Sequence, residues 1–226
     1  MAPLLSIVIP TLQAERTLGA TLDSCSSASL ETQIIVSDGG SSDATRSLAQ
    51  QHDVIIVDSE PGRGSQLATG AAMASGDWLL FLHADSVLAS GWDKSVVNFT
   101  GAHANKFNAA VFGLRLDDDS PQARRLEWIG KWRTRLLSLP YGDQGLLISR
   151  AFYDGLGGYQ PMPLMEDVDI IRRIGRTHLR VLDSHITTSA IKYQQGGYWK
   201  RPLRNLQLMC LYRLGVSPTK LAELYK

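Results

Sequence analysis

At 226 residues, 44% of them apolar and 20% charged, the chain has ordinary globular composition and is long enough to bury a core as one large domain or one domain with an appendage. Its net charge of +1 excludes a partner recruited by bulk charge, and no nucleic acid is expected. The charge is unevenly spread: residues 1–121 carry 6 Lys/Arg against 14 Asp/Glu and residues 122–226 carry 17 against 8, suggesting different ligands for the two halves.

The first half alternates. Leu5–Pro10, Gln33–Ser37, Val54–Val57 and Trp78–Leu82 are short apolar runs, read as strands. Between them Ala14–Cys25, Asp43–Gln51 and Gly64–Ser75 carry apolar residues at helical spacing. Strands that are apolar throughout imply burial on both faces, so a mostly parallel sheet covered by helices. In such sheets ligands sit beyond the carboxyl ends of the strands. The polar residues there are Thr11, Asp38, Glu60–Gly64, His83 and Asp85.

The second half is less regular. Ala109–Leu116 and Gly145–Ser149 read as strands, Ala123–Leu137 and Glu166–Gly175 as helices, and Trp199–Leu214 as an amphipathic helix mixing leucines with Lys and Arg. There is no internal repeat and no linker. No run approaches the ~18 apolar residues that span a bilayer. The start, Met1-Ala2-Pro3, lacks the basic region of a secretion signal, and Cys25 and Cys210 read as reduced thiols, so a cytoplasmic location is expected.

Four stretches invite chemistry. Asp38-Gly39-Gly40-Ser41-Ser42-Asp43 is a tight strand-to-helix turn, in which Asp43 reads as the helix cap and Asp38 as either a turn residue or a hydrogen-bond acceptor for a base or ribose. Gly62-Arg63-Gly64 lacks the third glycine of a dinucleotide fingerprint, where Leu67 stands, and lies on the wrong turn for one. An Arg at a helix N-terminus still suits an anion. Glu166-Asp167-Val168-Asp169 places three carboxylates at a helix start, where they complement the helix dipole or raise one another's pKa into the range of a general base. Gly142-Asp143-Gln144-Gly145 reads as a turn or as a substrate-facing loop.

In order and spacing these stretches resemble the family 2 glycosyltransferases of GT-A fold, from about Ser6 to Arg173. "SIVIPTLQAERTL" is similar to that family's opening strand and helix, "IIVSDGGSSDAT" to its Asp-Gly-Ser turn, "GRGSQLATGAAMASGDWLLFLHADS" to the approach to its Asp-x-Asp metal motif, and "MEDVDIIRRI" to its Glu-Asp motif. The tail and "GDQG" resemble a small bacterial subgroup, some of whose members carry an arsenosugar-biosynthesis label.

The resemblance implies a GT-A-type three-layer α/β/α sandwich over residues 1–197, with a nucleotide-binding half to about residue 121, an acceptor-binding half to residue 197, and a helical tail over 198–226. It implies metal-assisted, inverting transfer from a nucleotide-diphosphate sugar (UDP first, GDP second), with Mn²⁺ or Mg²⁺ as cofactor. Asp85 matches the metal ligand. His83 stands where the first Asp is usual, a departure that suits Mn²⁺ better than Mg²⁺. Pro10, Thr11, Glu15, Asp38, Arg63, His83 and Ala84 would line the nucleotide pocket. Asp167 matches the base, with Glu166 beside it, and Asp143 and Gln144 would meet the acceptor. The acceptor would be a small molecule or lipid-linked, with specificity set by the loops Phe99–Asn108 and Leu139–Gly142. The basic tail would pack on the domain, pair two subunits, or lie on an anionic membrane. Two alternatives stay open: a nucleotidyltransferase, although the first βα turn lacks the expected Gly-rich basic loop, and a non-catalytic nucleotide-sugar binder.

Overall fold

The computed structural model describes residues 4–134, 140, 142–191, 194, 197–198 and 200–225, with side chains omitted at 200, 201 and 225. In chain order these form β1 (Leu5–Thr11), α1 (Leu18–Ser26), β2 (Thr32–Asp38), α2 (Thr45–Gln50), β3 (Ile55–Asp58), α3 (Arg63–Met73), β4 (Trp78–Phe81), β5 (Ser86–Leu88), α4 (Trp92–Thr100), β6 (Ala109–Leu116), α5 (Pro121–Trp132), β7 (Leu146–Ser149), α6 (Arg150–Gly155), α7 (Glu166–Ile174), β8 (Leu179–Thr188), α8 (Lys200–Arg213) and α9 (Pro218–Tyr225). The strands form one sheet in the order β3-β2-β1-β4-β7-β6-β8-β5. Four of its pairings are parallel, and the three antiparallel ones involve β7 or β5.

Alternation along each strand divides the core between the two faces. Leu5, Ile7 and Ile9 of β1 join Trp78 and Leu80 of β4 under α1, α2 and α4, which supply Leu18, Leu22, Ala49, Trp92 and Phe99. Val8, Ile35, Leu79 and Phe81 point the other way, onto Leu67 and Ala71 of α3 and Ile170, Ile171 and Ile174 of α7. This is a three-layer α/β/α arrangement, as expected.

The register brings the polar strand ends together. Thr11 pairs with Asp38 across β1 and β2, and Phe81 at the end of β4 is opposite Leu146 at the start of antiparallel β7. The turns carrying Asp38, His83–Asp85 and Asp143 therefore share one rim of the sheet.

Several elements differ from the sequence reading. Strands β5 and β8 carry no continuous apolar run; β8 mixes Arg180, Asp183 and His185 with buried Leu182, Ile186 and Thr188, so its pattern reads as loop. Helix α5 is assigned to Trp132, and Leu137 lies outside the described residues, as does Trp199. The loop Phe99–Asn108, expected to tune specificity, lies at the opposite rim: Phe99 stacks on Trp78 at the start of β4, with centroids 5.7 Å apart. It has no access to the strand ends where a ligand would sit.

Candidate active site

The floor of the rim is made by β1 and β2. Asp38 is wholly buried, and its carboxylate is filled by the chain: Oδ1 accepts the Thr11 hydroxyl at 2.9 Å and the Ser41 hydroxyl at 2.6 Å, and Oδ2 accepts the amides of Ser41 at 2.9 Å and Gly40 at 3.2 Å. Burial alone would raise its pKa, but these bonds, led by those of Ser41, outweigh it and hold the carboxyl below its ordinary value. Asp38, expected to meet the base, lies with its carboxylate enclosed by its own turn and by Thr11. It shapes the turn from beneath. Pro10 and Thr11 are likewise buried in the floor.

Above the floor, the β1–α1 and β2–α2 loops are laced together. Gln13, in the left-handed region at φ 52°, donates its backbone N–H to the Ser41 hydroxyl and its side-chain amide to that of Ser42. Glu15 is exposed and accepts the Ala44 amide at 3.0 Å, at the start of α2. Asp43 accepts the Thr45 amide at 3.0 Å from the position before Ala44, which is the N-cap of α2, so it closes the turn and is not the helix cap expected of it. Beneath these loops the buried Gln66 side chain donates to the carbonyls of Thr11 and Ser37, a brace that nothing in the sequence flagged.

The second wall comes from the far half of the chain. Arg63, at the first turn of α3, pairs through Nε with Oε1 of Glu166, which is 1% exposed. The halves approach here because Gly64 has no side chain: a Cβ on it would lie 2.3 Å from the Gln160 carbonyl oxygen. The other Glu166 oxygen, Oε2, is buried with no hydrogen bond. Burial and neighbouring Asp167 push its pKa up, and Arg63 pulls it back.

Asp167 follows at the start of α7. Its Oδ2 accepts the Gly142 amide at 2.9 Å, and its Oδ1 the Val168 amide at 2.8 Å. Gly142 lies against the His83 ring so closely that a Cβ would be 2.6 Å from Nε2 and 3.6 Å from Asp167 Oδ2. His83, Gly142 and Asp167 therefore form one contact at the C-terminal end of β4. Ala84 meets α1 through its carbonyl, which accepts the Thr21 hydroxyl at 3.1 Å, and Asp85 follows, half-buried.

Asp143, in the turn before β7, has a buried Oδ1 without a hydrogen bond, and its pKa is pushed up to about 6. Burial is the main cause; Asp167 and Asp85 add to it, while Arg133 and Arg63 oppose it. Arg133 is thus a member of the site that the sequence reading passed over. So is Tyr159, buried against Phe81, whose hydroxyl pKa rises through burial and the proximity of Asp167 and Glu166. Gln144, expected to meet the acceptor, is spent inside the protein: it accepts the Thr134 hydroxyl at 2.7 Å and donates to the Phe112 carbonyl at 2.9 Å. A small pocket opens below the carboxylates, with His83, Pro140, Gly142, Glu166 and Asp167 at its mouth and Leu67, Val111 and Ile170 in its wall. Leu139 and Tyr141 of the adjoining loop lie outside the described residues.

Among the described residues no group of three or more His, Cys, Asp or Glu side chains is placed to hold a metal by itself. The donor set still fits a hard divalent cation of the kind that takes one or two protein carboxylates and completes its shell with waters and substrate phosphate oxygens. Asp85 supplies a half-buried carboxylate at the rim, and buried Asp143 Oδ1 and Glu166 Oε2 are unsatisfied acceptors in the same cluster.

Known proteins resemble the chain in sequence and in fold. A glycosyltransferase of PGL/p-HBAD biosynthesis from Mycobacterium tuberculosis is 34% identical over 111 residues, 45% of this chain and 43% of the relative. The match thus spans less than half of that relative's length. S. aureus TarS 1–349 in complex with UDP superposes with a TM-score of 0.67 at 15% identity, over 82% of this chain and 60% of that one. Glucosyl-3-phosphoglycerate synthase from Mycobacterium tuberculosis, in complex with Mn²⁺, UDP and glucosyl-3-phosphoglycerate, superposes at 0.57 and 22% identity, over 83% and 70%. At such identities the two structures establish likeness of fold, which is GT-A. The profile of "Glycosyl transferase family 2" matches residues 6–154, well over half of the sequence, and the chain belongs to that family.

Proposed function

We propose that this protein transfers a sugar, with inversion, from a nucleotide-diphosphate sugar to an acceptor hydroxyl, and that Asp167 is the base. The observation that carries the reading is the His83–Gly142–Asp167 contact, which sets a carboxylate from the acceptor half directly over the end of β4. UDP is the favoured nucleotide because two of the similar structures hold it, with GDP as the second choice.

A divalent cation, Mn²⁺ or Mg²⁺, would be held by Asp85 and the donor diphosphate, with His83 beside it. When bound it supplies positive charge to the leaving group. The chain's own groups do the rest. Asp167 Oδ2, oriented by the Gly142 amide, takes the proton of the acceptor hydroxyl. The hydroxyl oxygen attacks the anomeric carbon opposite the diphosphate, and the bond to the diphosphate oxygen breaks with its electron pair leaving on that oxygen. Glu166 and Asp143 accept hydroxyls of the acceptor through their unsatisfied oxygens. Glu15 and the laced loops enclose the nucleotide, Arg63 meets its phosphates while holding Glu166, and Asp38 acts on the base through the shape of its turn.

The acceptor is a small molecule or a lipid-linked one. Among the described residues no helix is long and apolar enough to cross a membrane. Exposed Trp128 and Trp132, stacked on the outer face of α5 beside Arg125 and Lys131, form the surface that would meet an anionic bilayer if the acceptor is lipid-linked.

The test is nucleotide release from UDP-sugars with Mn²⁺. Asp167→Asn should lower kcat about 10²–10⁴-fold while UDP still binds, and Asp85→Ala should abolish the Mn²⁺ dependence of UDP binding in calorimetry. Wild-type rates in both variants would overturn the assignment.

A further inference from the structure

We infer that the C-terminal helices α8 and α9 belong to the catalytic apparatus: they clamp Met165 in a left-handed conformation and so aim Glu166 and Asp167 into the site. The inference rests on the glycosyl-transfer reading for its kinetic part only.

The family match stops at residue 154, and the tail helices α8 and α9 lie beyond it. Among the described residues only Gln13 and Met165 have positive φ without being glycine. Met165, at φ 70° and ψ 15°, is the residue immediately before α7, and no side chain caps that helix. A β-carbon makes this region unfavourable, so something must hold the residue there. The holder is visible. Met165 and Val168 form a buried cluster with Leu208 of α8 and Leu221 of α9, flanked by Leu164, Leu211, Tyr212 and Val216. Leu221 is fully buried and Leu208 is 4% exposed, so both are committed to this contact. One turn further on, the Tyr212 hydroxyl donates to Asp169 Oδ1 at 3.5 Å. The other carboxyl oxygen of Asp169 is tied to Arg173.

The consequence is directional. Met165 sets the path by which the chain enters α7, and the next two residues are Glu166 and Asp167. If Met165 relaxes to the right-handed or extended region, the first turn of α7 swings. The Asp167 bond to Gly142 and the Glu166 pair with Arg63 then cannot both persist. The nucleotide loops of β1 and β2 lie on other elements and are untouched. Loss of the clamp should therefore lower kcat far more than nucleotide affinity, which α7 touches only through the Arg63–Glu166 pair. Met165 is a positioning residue, and Leu208 and Leu221 act through it.

The full chain carrying Leu208→Ala and Leu221→Ala should lose about tenfold in kcat, the scale of one left-handed residue left unsupported. Its affinity for UDP with Mn²⁺ should change much less than kcat, since the β1 and β2 loops are unaltered and Arg63 is the one phosphate contact that shares a partner with α7. Hydrogen exchange of the 163–170 peptide, which includes the Asp169 amide bonded to the Met165 carbonyl, should accelerate. The discriminating variant adds Met165→Gly. Glycine takes φ 70° without penalty, so the triple variant should regain most of the lost kcat although it packs less well and melts no higher. A role confined to general stability predicts the reverse: unchanged kcat well below the melting temperature in the double variant, and no recovery in the triple. Either result overturns the inference. If the wild type turns over no nucleotide sugar, the transfer reading fails. The exchange comparison then decides the clamp by itself, and an unchanged 163–170 peptide refutes it.

Discussion

Gly142→Ala is the sharpest probe of the candidate site, because it adds one carbon at its centre. The new Cβ would lie 2.6 Å from His83 Nε2 and 3.0 Å from Cε1, where ordinary contact begins at 3.4 Å. The ring must therefore retreat by about 3.4 − 2.6 = 0.8 Å, or the turn must rise by as much. Gly142 is not in the left-handed region, so the substitution carries no backbone penalty of its own. Overpacking of this kind costs about 1–3 kcal/mol. The functional effect should be larger than that loss suggests. If the turn rises, the Gly142 amide leaves Asp167 Oδ2; if the ring retreats, His83 leaves the end of β4. A displacement of about 1 Å in a reacting geometry is worth on the order of 10²-fold in rate. Initial rates of UDP release, read beside urea denaturation curves, separate the two effects. His83→Ala in the Gly142→Ala background should restore stability without restoring rate. A Gly142→Ala enzyme with wild-type rate and stability would refute the contact, and with it the placement of Asp167 over β4.

Three further outcomes are expected. Arg63→Ala leaves Glu166 buried without its cation and should cost about 1–3 kcal/mol, less than a fully enclosed pair because Arg63 is 39% exposed; adding Glu166→Gln should recover much of it in a denaturant double-mutant cycle. Asp143 has a folded-state pKa of about 6 against an ordinary 3.8, so the folded protein binds the extra proton between those values and stability falls as pH rises from about 4 to about 6. Asp143→Asn should abolish that fall and stabilise the protein at pH 7 by up to roughly 3 kcal/mol, the equivalent of the two-unit difference, with little gain at pH 4. Gly64→Ala drives a Cβ to 2.3 Å from a backbone oxygen that cannot rotate away, and should destabilise by at least about 2 kcal/mol in thermal or urea melts.

The first half was legible because its chemistry is local. Four apolar runs, each ending in a polar turn, carry their own strand signal, and parallel pairing then places the turns on one rim. The second half was legible in β7, α7 and α8 and at its carboxylates, and was not legible in β8. Strand β8 hides because its outward residues are charged. Asp38 and Gln144 show the deeper limit. Both are polar residues in turn-like stretches, and the resemblance assigned them to a ligand. Whether a polar side chain faces a ligand or the interior depends on which other groups reach it. For Asp38 these are Thr11, 27 positions away, and a hydroxyl three positions on; for Gln144 they are Thr134 and a carbonyl 32 positions back. A left-handed Met165 leaves no trace in composition either, since methionine is not a residue that favours it.

These long-range contacts also explain how two dissimilar halves make one site. The acidic first half brings a floor whose carboxylates are mostly satisfied from within: Asp38 by its own turn, Glu15 and Asp43 by the start of α2. The second half brings Asp143 and Glu166 with oxygens left unsatisfied under burial, and only Arg63 crosses from the first half to pair one of them. Unsatisfied buried carboxylate oxygens are expensive, and a fold keeps them where the remaining partner arrives with the substrate. The hydroxyls of the acceptor would relieve both. On that argument the same substitutions that stabilise the free protein, Asp143→Asn above all, should weaken acceptor binding, and stability and affinity should move in opposite directions across the series.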